Sequence, residues 1–270
     1  RNFDGGIVAK TPAPWTPITV DGKQIQTRMT RYVLADDGLP AEIHADGENL
    51  LAGRIHFLED GKPMVGKAMT MGTSEGVSLG WTSTFEGKTA TIQMQCHAEY
   101  DGMVRYELRV QPKGKLAPIT MRVPVKREYA SLYLYYNTGD RGVKTGLVPA
   151  ANGRFLESRV PHAPYAAWRD YQRARQEDAA LTWDAYWAPI RDATEAYGFF
   201  THFDLHNMDR GLWWFCDNAA GWWQSKTTSA IEMVRQGDQI MVDLNLIAEP
   251  VDYEPGTPIV FAFLPHPARP

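Results

Sequence analysis

Polar and apolar residues alternate without a break along Thr91-Ile92-Gln93-Met94-Gln95-Cys96-His97-Ala98-Glu99-Tyr100. Successive side chains of a strand point to opposite faces, so this segment buries one face and wets the other. Asp101-Gly102 follows, and then Val104, Tyr106, Leu108 and Val110 alternate with Arg105, Glu107, Arg109 and Gln111. The two runs predict an antiparallel hairpin closed by a two-residue type I′ turn, because Asp-Gly tolerates the positive φ that turn needs. Ile119 to Val125 continues the period-two pattern, as do Ile25 to Leu34, Ile240 to Ile247 and Ile259 to Leu264. Turn dipeptides recur at short intervals: Asp21-Gly22, Asp37-Gly38, Asp46-Gly47, Asp60-Gly61, Glu86-Gly87 and Gln236-Gly237. Many short strands punctuated in this way predict a mostly β chain folded as a large antiparallel sandwich. Neither βαβ alternation nor a Gly-rich phosphate loop is present, which excludes Rossmann and P-loop folds.

One stretch departs from the strand pattern. Tyr165 to Tyr197 is rich in Ala, Arg, Gln and Glu, and Trp168, Tyr171 and Arg175 fall at rough helical spacing, as do Trp183, Tyr186 and Trp187. Pro164 can open a helix and Pro189 breaks or kinks one, so a helical insertion is expected over about 164–197. It packs its aromatics on a sheet or forms a rim over a groove.

Composition narrows the function. With 28 Lys+Arg against 32 Asp+Glu the formal charge is −4, and no basic surface for nucleic acid is implied. The longest apolar runs, such as Ile259 to Leu264, fall far short of the roughly 18 residues a membrane helix needs. Cys96 and Cys216 exclude a disulfide scaffold and a multi-thiolate zinc site, leaving one bridge open. The chain starts at Arg1 without a leader pattern, and Pro265-His266-Pro267-Ala268-Arg269-Pro270 reads as a linker. The expectation is one domain over residues 1–270, cut from a longer multidomain chain.

The aromatic load is 9 Trp, 12 Tyr and 10 Phe, and Trp168, Trp183, Trp187, Trp213, Trp214, Trp222 and Trp223 crowd between residues 168 and 223. Pyranose rings present flat C–H faces that stack on indoles, so clustered Trp beside carboxylates is what a sugar site needs; Trp is equally a large core residue. In a strand, Trp213 and Trp214 point to opposite faces, so one of each adjacent pair at most shares a surface. Thr201 to Leu212 gathers His202, Asp204, His206, Asp209 and Arg210. On a strand the two histidines share a face with Asp204 but lie about 13 Å apart, too far for one zinc. The plainer reading is an exposed face leading into a tight turn at Asp209 to Gly211, with Arg210 pairing locally. No Gly-x-Ser-x-Gly elbow occurs, and both cysteines read as buried and inert. No metal and no cofactor is expected.

Two stretches carry a resemblance. Pro12-Ala13-Pro14-Trp15-Thr16-Pro17, Arg31-Tyr32, Gly38-Leu39-Pro40 and Leu50-Leu51-Ala52 form the first, followed by Tyr100-Asp101-Gly102-Met103. Asp209-Arg210-Gly211-Leu212-Trp213-Trp214-Phe215 with Gly221-Trp222 forms the second. Together, from about Pro12 to the C-terminus, they resemble the glycoside hydrolase family 123-like N-terminal domain. The resemblance implies a β-sandwich of the supersandwich, galactose mutarotase-like kind preceding a TIM barrel that carries the chemistry. Relatives cleave β-N-acetylgalactosaminides with an adjacent Asp-Glu pair, the Glu as protonated acid and the Asp orienting the substrate amide. No Asp-Glu dipeptide occurs in these 270 residues. By resemblance the chain is the accessory sandwich of a β-N-acetylgalactosaminidase-like protein, not itself catalytic, with an extracytoplasmic or secreted location implied.

The expected partners are a carbohydrate and the C-terminal catalytic barrel of the same chain, with no nucleic acid and no membrane. The candidate sugar contacts are Trp213, Trp222, Trp223, Asp209 and Arg210. Two rivals stand beside this reading. One is a self-sufficient epimerase or polysaccharide lyase using His202, His206 or Tyr197 as acid or base. The other is a purely structural interdomain module.

Overall fold

The computed structural model describes residues 10–137, 143–158, 164–182, 185, 199–223, 225, 228–254 and 256–267, with the side chains of 137 and 164–170 outside the described set. The named strands among the described residues all fall in three antiparallel sheets. A five-stranded meander runs Thr19–Asp21, Gln24–Gln26, Thr30–Leu34, Pro40–Ala45 and Glu48–Asn49. A six-stranded sheet is ordered Gly153–Ser158, Ile231–Gln236, Gln239–Ile247, Ile119–Lys126, His56–Glu59 and Lys62–Pro63. The ten-stranded sheet is ordered Val143–Leu147, Leu132–Asn137, Phe200–His206, Gly211–Phe215, Ile259–His266, Val104–Pro112, Ala90–Glu99, Ser78–Glu86 and Val65–Gly66, with Thr70–Met71 also on Ser78–Glu86. The expected mostly β chain of large antiparallel sheets is what forms.

The hydrophobic alternation explains how the two large sheets close on each other. From Ala90–Glu99 the side chains of Ile92, Met94 and Cys96 are buried and meet Val110, Leu108 and Tyr106 of the neighbouring strand. From the six-stranded sheet Met121, Val123 and Val125 meet Leu244, Val242 and Ile240 in the same way. These inner faces form one continuous core. Aromatic contacts span the layers: Phe57 meets Phe85 at 4.8 Å and Tyr133 meets Phe155 at 5.9 Å between ring centroids. Burial of such side chains stabilises by about 1.5–3 kcal/mol each, so the layers hold together chiefly through this core.

Polar stitches fix how the layers are set. Glu59, buried at the end of its strand in the six-stranded sheet, reaches the Glu86-to-Ala90 turn of the ten-stranded one. Its carboxylate accepts from the N–H groups of Lys88, Thr89 and Ala90 and from the Thr89 hydroxyl at 2.8 Å. Gly87 is required there, since a Cβ would lie 2.6 Å from the Glu59 carboxylate. The meander is fastened by the Tyr32 hydroxyl on the Gly102 carbonyl at 2.7 Å and the Trp81 indole on the Gly38 carbonyl at 2.9 Å.

Three local expectations change. The type I′ turn forms at Asp46-Gly47 and Asp60-Gly61, where both residues take positive φ, and not at Asp101-Gly102, where only Gly102 does. There a three-residue loop closes between Glu99 and Met103, with the Asp101 carboxylate accepting from the Met103 N–H at 3.0 Å. The run from Ile25 to Leu34 is two strands, not one: Gln26 pairs with Arg31 around a turn closed by Thr27 N–H on the Thr30 carbonyl. The terminal Pro265-His266 belongs to a strand and not to a linker, since His266 pairs with Gly211. The helix spans Pro164–Glu177, opened by Pro164 as expected, and buries Tyr171. Residues 183–184 and 186–198, with Trp183, Trp187, Pro189 and Tyr197, lie outside the described residues. No helix among the described residues is long and apolar enough to cross a membrane.

Burial pushes the Glu59 carboxyl upward, but the Thr89 hydroxyl and the three N–H groups outweigh it and hold the pKa below the usual 4.5. A depressed carboxylate pKa contributes stability that is present above the unfolded value and lost as pH falls through the folded one. Glu59→Gln should therefore lower unfolding free energy by about 1–3 kcal/mol at pH 7, with the gap closing below the usual carboxylate range. Urea unfolding at pH 7 and pH 3 checks this; equal stability at pH 7 would remove the stitch from the account.

Candidate functional site

Four strands of the ten-stranded sheet bring a polar cluster onto its outer face. Phe200–His206 sends Phe203 and Leu205 inward, so His202, Asp204 and His206 turn outward together, as their spacing predicts. The pairing register then sets their neighbours. Asp204 stands opposite Trp213, which stands opposite Leu264, and His206 opposite Gly211, which stands opposite His266. Trp214 goes the other way, fully buried and stacked on Phe203 at 5.2 Å. Trp213 remains 47% exposed, large enough to offer a ring face to a ligand.

The centre of the cluster is a carboxylate. Asp204 is buried although it points outward, and its Oδ1 accepts from His266 Nε2 at 2.9 Å while Oδ2 lies 3.9 Å from His206 Nε2. The two imidazoles converge across Gly211, where a Cβ would sit 2.4 Å from His266 Nε2 and 2.5 Å from His206 Cβ. Only glycine lets both rings approach there. The His206 ring is oriented by the backbone: the Met208 N–H donates to Nδ1 at 3.2 Å, which places the proton of a neutral ring on Nε2, toward Asp204. Met208 holds that position with φ at 81°, in a region that bulky residues rarely adopt. Trp213 closes the edge, 5.9 Å from the His266 ring.

His202 sits two residues from Asp204 and stacks flat on Tyr136 at 5.6 Å. Burial pulls its pKa below the usual 6.5, with the Asp204 carboxylate opposing, so it stays neutral at neutral pH. Among the described residues no group of three His, Cys, Asp or Glu side chains is arranged to hold a metal ion. Cys96 and Cys216 are free and buried, and burial pushes the Cys216 thiol up to about 12, which removes it as a nucleophile at neutral pH.

The expected sugar contacts do not gather on one surface. Trp213 is the one on the cluster. Trp222 is buried, edge-on to Phe199 at 5.4 Å and to Trp214 at 6.3 Å, so its ring belongs to the core and cannot stack on a sugar. Trp223 is exposed but bonds to the backbone of Leu246 and Ala248 beside the six-stranded sheet. Arg210 does not pair locally: it reaches the Ala45 carbonyl at 3.2 Å and Asp46 at 3.0 Å, clamping the meander to the hairpin. Asp209 is an exposed turn residue whose N–H is held by Asn207. Nor is the 202–206 face simply exposed, since Asp204 is buried. His266 and Gly211 were missed. The alternation of Ile259 to Leu264 continuing two residues further was the signal for the first.

Over residues 18–188 the chain matches the family model described as "Glycoside hydrolase 123, third domain". The chain belongs to the glycoside hydrolase 123 family. The family expected from the sequence is thus the one found, although the matching description is of a third domain, not an N-terminal one. The match ends before the strands that carry Asp204, Trp213 and His266. A comparison with curated proteins finds no match. Among solved structures this glycoside hydrolase 123 domain is similar to the Slr1438 protein of Synechocystis sp. PCC 6803, at 10% identity over 96% of this chain and 98% of that one, TM-score 0.46. It is also similar to a galactose mutarotase related enzyme from Lactobacillus acidophilus, at 8% identity over 91% and 97% of the two chains, TM-score 0.41. An Aspergillus nidulans amine oxidase matches at 9% identity over 98% of this chain and 50% of its own, TM-score 0.39. The architecture rests on the strand pairing itself.

Gly211→Ala should force the imidazoles apart and break the Asp204–His266 bond, costing about 1–3 kcal/mol. Denaturant unfolding reads the loss, and nitrogen-15 shifts of the His206 and His266 rings read the change in tautomer and hydrogen bonding. Unchanged ring shifts in the folded variant would contradict the geometry.

Proposed function

We propose that this domain is an accessory sandwich of a glycoside hydrolase, and that it contacts glycan through the outer face of the ten-stranded sheet around Trp213. One observation carries the reading: an exposed indole stands beside a carboxylate that His266 holds at 2.9 Å, with His206 3.9 Å away. A sugar needs an apolar plate for its C–H face and oriented polar groups for its hydroxyls, and both are within one cluster here. Bond cleavage belongs in this reading to another domain of the parent protein, the barrel implied by the family resemblance. Trp213 remains from the residues expected in the sequence; Arg210 serves instead to hold the hairpin.

The enzymatic rival has an observation of its own. The Asp204–His266 pair, at 2.9 Å, is the kind of contact that orients a general base. Turnover separates the two readings. Glycan-array binding by the 270-residue protein should be detected and should fall about tenfold in Trp213→Ala, while Trp223→Ala binds as the native chain does. Binding that survives Trp213→Ala, or hydrolysis or epimerisation by the isolated chain that His266→Ala abolishes, would overturn the accessory reading.

A further inference from the structure

The outer face of the ten-stranded sheet carries a second feature, a groove of about 410 Å³ over the strands Ser78–Glu86, Ala90–Glu99 and Val104–Pro112. Its floor is built by register. Thr82, Gln95 and Glu107 form one row across the three strands, and Thr84, Gln93 and Arg109 form the next. Every one of these side chains lines the groove and points away from the core, because Ile92, Met94, Leu108 and Val110 between them point in. Glu107 is held in place from both sides, by Arg109 at 2.6 Å and Arg105 at 3.3 Å. The amides of Gln93 and Gln95 have no protein partner among the described residues. The floor therefore presents hydroxyl, amide, carboxylate and guanidinium groups in two straight rows, with no aromatic plate.

The groove and Trp213 lie on the same side of the same sheet. Between them runs the row His97, Arg105, Ala262, Phe215 and His202, which continues without a break from strand to strand. Trp213 is three strands from Gln95 and about four residues along the strand direction, a diagonal of about 20 Å. That span exceeds a monosaccharide and matches an oligosaccharide of four or five pyranose units. Glu107 is shared by Arg105 and Arg109, and Lys67 also lines the groove, so the track carries several fixed hydrogen-bond donors for hydroxyl oxygens.

We infer that the ligand is an extended oligosaccharide that stacks one ring on Trp213 and lays its following units across the Arg105 row into the Gln93–Gln95 groove. This rests on the reading of Trp213 as the sugar contact. Indole stacking supplies the anchor, and hydrogen bonds from the Gln, Thr and Glu107–Arg109 groups select for chain length and for hydroxyl orientation at the distal units. Such bonds are directional, and each contributes modestly once displaced water is counted.

The test is isothermal titration of the 270-residue protein with uncharged β-linked N-acetylhexosamine oligosaccharides of one to six units. Affinity should rise with length up to four or five units and then level. In Gln93→Ala/Gln95→Ala, whose exposed side chains do not support the fold, the length-dependent gain should shrink about fivefold, while the monosaccharide, which reaches only Trp213, binds as before. A flat length series, or a gain that the double variant retains in full, would overturn the track and leave the Trp213 contact standing. Absence of binding at every length would overturn both.

Discussion

Pleating couples the two faces of the ten-stranded sheet. Once Ile92, Met94 and Cys96 are committed to the core against Val110, Leu108 and Tyr106, the residues between them have no freedom to choose a face. Gln93, Gln95, Glu107 and Arg109 go outward because their neighbours go inward. The same holds at the other end of the sheet, where Phe203 and Leu205 bury themselves and turn His202, Asp204 and His206 out. A slip of one residue in either pairing would exchange core for surface, so the hydrophobic core is what positions the outer cluster.

Within that frame, the cluster depends on a few positions that break the ordinary rules of a strand. Asp204 is a buried carboxylate on the outward side, affordable because His266 donates to it and His206 stands close by. Gly211 removes the side chain that would hold the imidazoles apart, and Met208 takes an unfavourable φ to aim its N–H at His206. Such local costs persist where the surroundings over-determine them. Arg210, one residue from the cluster, is spent on Asp46 and the Ala45 carbonyl, which fixes the hairpin against the meander. Glu59 does the equivalent between the two large sheets, so the cluster sits on a layered support held at several separate points.

Much of this was legible in the sequence. The Thr91–Tyr100 and Val104–Gln111 hairpin, the outward sharing of His202, Asp204 and His206, and the opposite directions of Trp213 and Trp214 all follow from a period of two. What was not legible depends on partners far along the chain. Trp222 reads as a candidate sugar contact until Phe199 and Trp214 enclose it. Arg210 reads as a local pair until the turn at Asp46, 164 residues away, comes beside it. His266 was hidden by its prolines, which suggest a linker; Pro265 is tolerated because the strand is near its end. The resemblance runs from about Pro12 to the C-terminus, whereas the family model matches residues 18–188 and stops before Asp209 to Phe215, so the cluster is argued from geometry alone.

The reading proposed above is that the outer face of the ten-stranded sheet around Trp213 meets glycan. A crystal structure of the domain with a β-linked N-acetylhexosamine tetrasaccharide tests it most directly. The account predicts one sugar ring stacked on Trp213 within reach of His266, with the remaining units lying toward Gln95 and Glu107. Sugar bound at Trp223 beside the six-stranded sheet, with the Trp213 face empty, would contradict it.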